Sequence, residues 1–290
     1  MTRGRIRAGA VSAVRTAAQA YALPTAGARP LPSFLIIGAE RAGTTSLHRY
    51  LVQHRQVMST TLHRKGAYYF ATNFHKGVRW YRAHFPTELA MRVRARMAHV
   101  DRVISGEACP YYIFHPLVPE RVHALLPDSR FILMLRDPAS RAYSHYQQET
   151  VRGFEHLSFE EAIQAEPDRL AGEEERMRRD PSYYSFNHQH YAYLTRGLYL
   201  EQIQRWHALF APDQLLIIDS AAFFKDPDKG FSEVLRFLGL TQTSLTVYPQ
   251  LNARSYGRIA PETREHLREH FAEPNRRLEK YLGRSFSWST

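Results

Sequence analysis

The chain has 290 residues, 44% of them hydrophobic, and a net charge of +11. That length and apolar content suit one large α/β domain with a short extension, and no apolar run approaches the ~20 residues of a membrane-spanning helix. The single cysteine, Cys109, excludes an intrachain disulfide and a cysteine-built zinc site, and favours a reducing, cytoplasmic setting.

Part of the positive charge is local: Arg3, Arg5, Arg7, Arg15 and Arg29 all precede the first acid, Glu40. A basic surface favours anionic partners. No base-reading motif accompanies it, so nucleic acid is not an expected partner. Residues 1–32 read as a basic, flexible tail, set off by Pro24, Pro30 and Pro32, without the apolar core of a secretory signal. Ile6, Ala10, Val14 and Ala17 fall on one face of a short helix, which offers a peripheral membrane contact. Residues 33–290 read as a single domain.

Phe34 to Ile37 is a short apolar run ending in a glycine, the pattern of a buried strand. Leu47, Tyr50, Leu51 and His54 then recur at helical spacing. Val103-Ile104 is a second strand candidate, followed by a helix over Pro116 to Leu126. Phe131 to Leu135 is a fully apolar strand, and Pro138 suits the start of the next helix, where its missing N–H costs nothing. Residues 167–185 are charged and punctuated by proline, as in a solvated insertion. Leu198 to Phe210 is helical, Leu215 to Ile218 a strand, and Phe231 to Leu238 a helix with Gly239 placed to cap it. Pro261 to Leu282 reads as a long helix interrupted near Pro274. Strands apolar on both faces, alternating with helices, predict an α/β fold with a P-loop-like central parallel sheet flanked by helices.

Ligands of such sheets bind at the carboxyl ends of the strands. There lies the loop Gly38-Ala39-Glu40-Arg41-Ala42-Gly43-Thr44-Thr45, whose backbone N–H groups at a helix start can cradle phosphate oxygens. The spacing Gly-x-x-x-x-Gly is that of a triphosphate loop, but Thr44 stands where the lysine belongs and the basic residue has moved three places earlier, to Arg41. No acid for Mg²⁺ is evident at a second strand end. The loop therefore suggests transfer of a smaller group without a metal, with Arg41 on the leaving side. A second constellation runs from Arg136 at the end of a strand to Ser144 two turns into the next helix. Arginine offers a planar fork for phosphate, and serine a hydroxyl donor. Two anion sites at neighbouring strand ends suit a nucleotide with phosphates at two separated positions. A kinase or NTPase with a triphosphate loop, and a non-catalytic nucleotide-binding protein of the same fold, stay open as alternatives.

Residues Gly38 to Leu47 resemble the 5′-phosphosulfate loop of sulfotransferases, and Arg136 with Ser144 resembles their 3′-phosphate motif. The closest likeness is to the branch holding heparan sulfate sulfotransferases and many bacterial relatives. It spans about residues 33–288, with supporting pieces at Lys76-Gly77, Trp80-Tyr81, Gly106-Glu107, Pro110-Tyr111, Arg196-Gly197, Gly257-Arg258 and Leu282-Gly283-Arg284. The resemblance implies 3′-phosphoadenosine 5′-phosphosulfate (PAPS) as donor, a hydroxyl or amine acceptor on a carbohydrate, glycolipid or small molecule, and no metal. On it, Arg41, Ala42, Gly43, Thr44, Thr45 and Ser46 hold the 5′-phosphosulfate, Arg136 and Ser144 the 3′-phosphate, and Gly257 and Arg258 belong to a late loop over the donor.

The chain departs from that pattern in places. Arg41 stands where a lysine is usual, and it can stabilise the leaving oxygen but not protonate it. Gly66 and Tyr68 occupy positions that often carry a catalytic Glu or His, Ala108 follows Glu107 where a lysine is common, and Tyr256 replaces a late-loop lysine. Sulfuryl transfer needs the acceptor deprotonated as it attacks, and Glu107 and His63 are the candidate bases. The aromatic stretch Tyr183 to Tyr191 is a candidate lining of the acceptor cleft.

Overall fold

The computed structural model describes residues 22–61, 65–251, 257 and 259–288. In chain order these form β1 (Phe34–Gly38), α1 (Thr44–Leu51), β2 (Val57–Met58), α2 (Tyr69–Thr72), α3 (Gly77–Arg82), α4 (Glu88–Met97), β3 (Ile104–Ala108), α5 (Val118–Leu125), β4 (Arg130–Leu135) and α6 (Pro138–Arg152). There follow α7 (Phe159–Leu170), α8 (Glu173–Arg179), α9 (Phe186–His190), α10 (Tyr199–His207), β5 (Leu215–Asp219), α11 (Ser220–Lys225), α12 (Pro227–Leu238) and α13 (Pro261–Leu282).

The apolar runs at 34, 131 and 215 cannot satisfy their backbone groups locally and pair side by side, all in parallel, in the order β2-β3-β1-β4-β5. Every residue of β1 and β3 is buried, as expected of a sheet covered by helices on both faces. The α/β fold with a central parallel sheet is as the apolar pattern predicts. Because β1 lies between β3 and β4, the loops leaving β1 and β4 are neighbours on the carboxyl edge, where the strand order reverses.

The structure alters several expectations. Helix α13 runs unbroken through Pro274: Leu267, Phe271 and Leu278 recur on one buried face, and that packing offsets the missing backbone bond at the proline. Residues 167–185 are not a loose insertion. They complete α7 and form α8, with acids in its first turn, arginines in its last and Met177 buried, an order that complements the helix dipole. Residues 22–32, assigned to the tail, pack on the body: Ala22 and Ala26 are buried, and the Arg29 guanidinium donates to the carbonyl of Phe85. Residues 1–21, with the proposed membrane-facing helix, lie outside the described residues, and no described helix is long and apolar enough to cross a membrane.

Candidate functional site

The loop after β1 turns into α1 through Gly43, whose φ of 96° lies in the left-handed region. A Cβ there would stand 2.5 Å from Phe224, so glycine is required both by backbone and by space. Helix α1 starts at Thr44 with no acid in its first turn, which leaves its positive end facing the cleft. Ser220 holds the loop from behind by donating to the carbonyl of Ala42 at 2.7 Å. Ser46 is fully buried, and its hydroxyl accepts from the N–H of Leu251 at 2.8 Å. It joins the loop to the 249–251 segment rather than facing the cleft.

Arg136 follows β4 directly. Asp137 caps α6 by accepting from the Ser140 N–H at 3.0 Å, and Pro138 takes the first helical position. The Tyr199 hydroxyl donates to the Arg136 carbonyl at 2.7 Å, and the Arg136 guanidinium donates to the Arg41 carbonyl at 3.1 Å. The end of β4 is thereby tied to the loop after β1. Ser144, Gln148 and Arg152 recur at four-residue spacing along α6 and line one cleft together with Arg41, Arg136 and residues 42–45.

The cleft has a volume of about 560 Å³, inside the roughly 300–1,000 Å³ range of small-ligand sites. Among the described residues, four cations, Arg41, Lys65, Arg136 and Arg152, line it against one carboxylate, Glu40. Glu40 is itself ion-paired with the fully buried Arg196. Burial alone would push the Glu40 carboxyl up, but Arg196 first, then Arg152, Arg141 and Lys65, hold it below its usual range.

Two expectations change here. Arg41 was placed on the leaving side of the 5′ site. Its guanidinium instead lies along α6, donating to Ser144 Oγ at 3.0 Å and Gln148 Oε1 at 2.6 Å. The ammonium at the head of α1 belongs to Lys65, whose Nζ donates to Thr44 Oγ1 at 3.1 Å and Thr45 Oγ1 at 2.9 Å. Glu107, a candidate base, is fully buried and outside the cleft lining. Its Oε1 accepts from the hydroxyls of Tyr81 and Tyr112 at 2.9 and 2.8 Å, and its Oε2 from the Ala67 N–H at 2.6 Å. Burial pushes its pKa up. It is a peg: with the Ala108 N–H, which donates to the Lys65 carbonyl at 2.8 Å, it holds the 65–67 segment against the end of β3. A Cβ on Gly66 would stand 2.7 Å from the Ala108 carbonyl, so only glycine allows that approach.

His63 and Arg258 lie outside the described residues. Gly257 is beside the Tyr143 hydroxyl, 3.8 Å from where its Cβ would be, and the late segment reaches the cleft through Gln250 and Leu251. Tyr68 lines the cleft, with burial pushing its hydroxyl well above the usual value of 10, which disfavours its ionised form. Arg141 is fully buried and donates to the Tyr193 carbonyl, away from the cleft. Of the aromatic stretch, Tyr183, Tyr184 and Ser185 border a separate cavity of about 30 Å³. Donor atoms of Glu40, His145 and Glu149 lie within 4.8 Å of one another, but Arg196 holds Glu40, and Arg152 and His190 hold Glu149, so both carboxylates already have cationic or N–H partners.

Sequence reasoning missed Lys65, Gln148 and Arg152. The last two were legible, since they share a helix face with Ser144. Lys65 lies in the stretch that the resemblance picks out through Gly66 and Tyr68, but only the fold shows that its ammonium reaches Thr44 and Thr45.

The family model of the sulfotransferase domain matches residues 31–271. The chain is 30% identical over 290 residues to bifunctional heparan sulfate N-deacetylase/N-sulfotransferase 4 of Mus musculus, covering 88% of this chain and 30% of that protein. It is 25% identical over 324 residues to the membrane-associated sulfotransferase kil1 of Dictyostelium discoideum, covering 89% of this chain and 66% of the relative. The chain thus spans less than two thirds of each of these relatives. The crystal structure of a sulfotransferase from Alicyclobacillus acidocaldarius superposes with a TM-score of 0.62 at 30% identity, covering 89% of this chain and 98% of the other. With the loop after β1 and the Arg136–Ser144 pair lining one cleft at neighbouring strand ends, and with that match over most of its length, the chain belongs to the sulfotransferase domain family.

Proposed function

We propose that this chain transfers a sulfuryl group from PAPS, the donor used by its family, to a hydroxyl or amine of a glycan or glycolipid acceptor. One observation carries the reading: a single cleft joins the positive head of α1 to Arg136 and Ser144 on the neighbouring strand end. The residues present fit a donor with phosphates at two positions. The head of α1 with the hydroxyls of Thr44 and Thr45 suits the 5′-phosphosulfate. Arg136, Ser144 and Arg41, tied together through hydrogen bonds, suit the 3′-phosphate. Phe224, in the cleft wall beneath Gly43, offers a face to the adenine. The excess of cations draws a multiply charged nucleotide into the cleft. A sugar acceptor follows from the heparan sulfate named for one relative. With Glu107 in use elsewhere, His63, two positions before Lys65, is the proposed acceptor base.

Calorimetric titration with adenosine 3′,5′-bisphosphate tests the site. Arg136→Ala removes charge-assisted hydrogen bonds of about 1.5–3 kcal/mol, so affinity is expected to fall roughly 10- to 100-fold, with a smaller loss for Ser144→Ala. Unchanged affinity in both variants refutes the assignment. Transfer of labelled sulfate from PAPS to a panel of glycan acceptors, read by mass spectrometry, tests the reaction. Turnover of Mg·ATP in place of it revives the kinase alternative.

A further inference from the structure

The loop from Gly38 to Thr45 contains no lysine, yet a lysine ammonium sits on it. Lys65 comes from the segment after β2, and its Nζ is held by the hydroxyls of Thr44 and Thr45 where α1 begins. Both partners are neutral. The nearest carboxylates are engaged elsewhere: Glu40 pairs with Arg196, and Glu107 serves Tyr81, Tyr112 and Ala67. No described carboxylate forms an ion pair with Lys65. A partly buried cation thus stands beside the positive end of a helix, and the two repel each other. Burial is the larger cause, against an opposing pull from Cys109 and Glu40, of a Lys65 pKa brought down to about 8. An anion bound in the cleft would offset both positive charges. The loop's own cation, Arg41, is not there, since its guanidinium is turned onto α6.

We propose that Lys65 is the group that stabilises the departing oxygen during sulfuryl transfer, a role that rests on the function proposed above. In that step the acceptor oxygen or nitrogen forms a bond to sulfur as the bond from sulfur to the bridging oxygen breaks. The electron pair of the broken bond stays on that oxygen, now a terminal oxygen of the nucleotide 5′-phosphate, and the acceptor's proton passes to the base. The Lys65 ammonium and the two threonine hydroxyls face the place where that charge appears, which is the requirement for electrostatic stabilisation of a transition state. Glu107 and Gly66 act behind it as positioning residues, holding the segment that presents Lys65.

The test uses the full chain with Lys65→Met, Lys65→Ala and Lys65→Arg, PAPS as donor and a de-N-sulfated heparin oligosaccharide as acceptor. Lys65→Met is expected to lose roughly 100- to 1,000-fold in kcat, as for removal of one oxyanion donor, while adenosine 3′,5′-bisphosphate affinity falls less than about tenfold. Lys65→Arg retains part of the rate, and added methylammonium restores part of it to Lys65→Ala, which a purely structural role does not predict. Independently, binding of adenosine 3′,5′-bisphosphate at pH 8.5, measured by calorimetry in buffers of different ionisation enthalpy, is expected to take up protons in the wild type and not in Lys65→Met. This arm needs no acceptor, so it decides the matter even where the oligosaccharide is not sulfated. Wild-type kcat in Lys65→Met, or equal proton uptake in the two proteins, overturns the proposal. A wild type that binds no bisphosphate at all refutes the function reading and takes this inference with it.

Discussion

Replacing Arg196 with methionine isolates the pair that anchors the phosphate loop. The Arg196 side chain is fully buried; its guanidinium pairs with Glu40 and donates to the carbonyls of His188 at 3.0 Å and Gln189 at 2.8 Å. Removing one partner of a buried pair costs about 3–5 kcal/mol, because the other charge is left uncompensated. Glu40 keeps 17% of its side chain exposed, so water recovers part of the loss and the lower end, about 3 kcal/mol, applies. The two carbonyls on α9 lose a charged donor, adding about 1 kcal/mol each. Urea unfolding at pH 7.5 should therefore show a loss of about 5 kcal/mol. In a cycle with Glu40→Gln, the coupling between the two positions should be about 2–3 kcal/mol. The pH dependence has a definite sign. The Glu40 carboxyl is held below its unfolded value of 4.5, so the pair's contribution is present above that pH and is lost as pH falls through the folded value. The gap between wild type and Arg196→Met should stay flat from pH 6 to 8 and shrink below about 4.5. A loss under about 1 kcal/mol, or a gap that widens on acidification, contradicts this account of the loop.

Gly43→Ala combines a left-handed backbone with a Cβ 2.5 Å from Phe224; about 2 kcal/mol or more of stability should be lost, with weakened adenosine 3′,5′-bisphosphate binding, by denaturation and titration. Glu107→Gln leaves three donors with one acceptor oxygen and should destabilise by about 1–3 kcal/mol without removing a titrating limb from the rate profile; a large fall in kcat at unchanged stability, with that limb gone, would restore Glu107 as the base. Because burial pushes the Tyr68 hydroxyl well above 10, Tyr68→Phe should leave the shape of the pH–rate profile unchanged up to pH 9, and a displaced limb would argue otherwise.

The strands at 34, 131 and 215 were legible because each is a contiguous apolar run, a local property that a parallel sheet requires. The helix caps at Pro138 and Gly239 were legible for the same reason, since dihedral limits act on single residues; Gly239 adopts the left-handed cap, with φ of 64°. Strand β2 was not, because two residues carry no periodicity. The break expected at Pro274 failed because proline's local cost is outweighed by side chains packed from elsewhere. In the site, the motif spacing singled out Gly38 to Thr45 and Arg136 with Ser144, but it did not show the partners that Arg41, Ser46 and Glu107 take in the fold.

The sequence by itself determined which backbone segments meet at the carboxyl edge, because apolar runs, glycines and prolines act on their own neighbourhoods. Only the tertiary structure decided where the charges point. Arg41 turns to α6, Glu107 is spent on Tyr81, Tyr112 and Ala67, and Lys65 reaches Thr44 and Thr45 from another loop. Long polar side chains settle on whichever partners the fold brings within about 3 Å, and those partners here are 5 to 107 residues away along the chain.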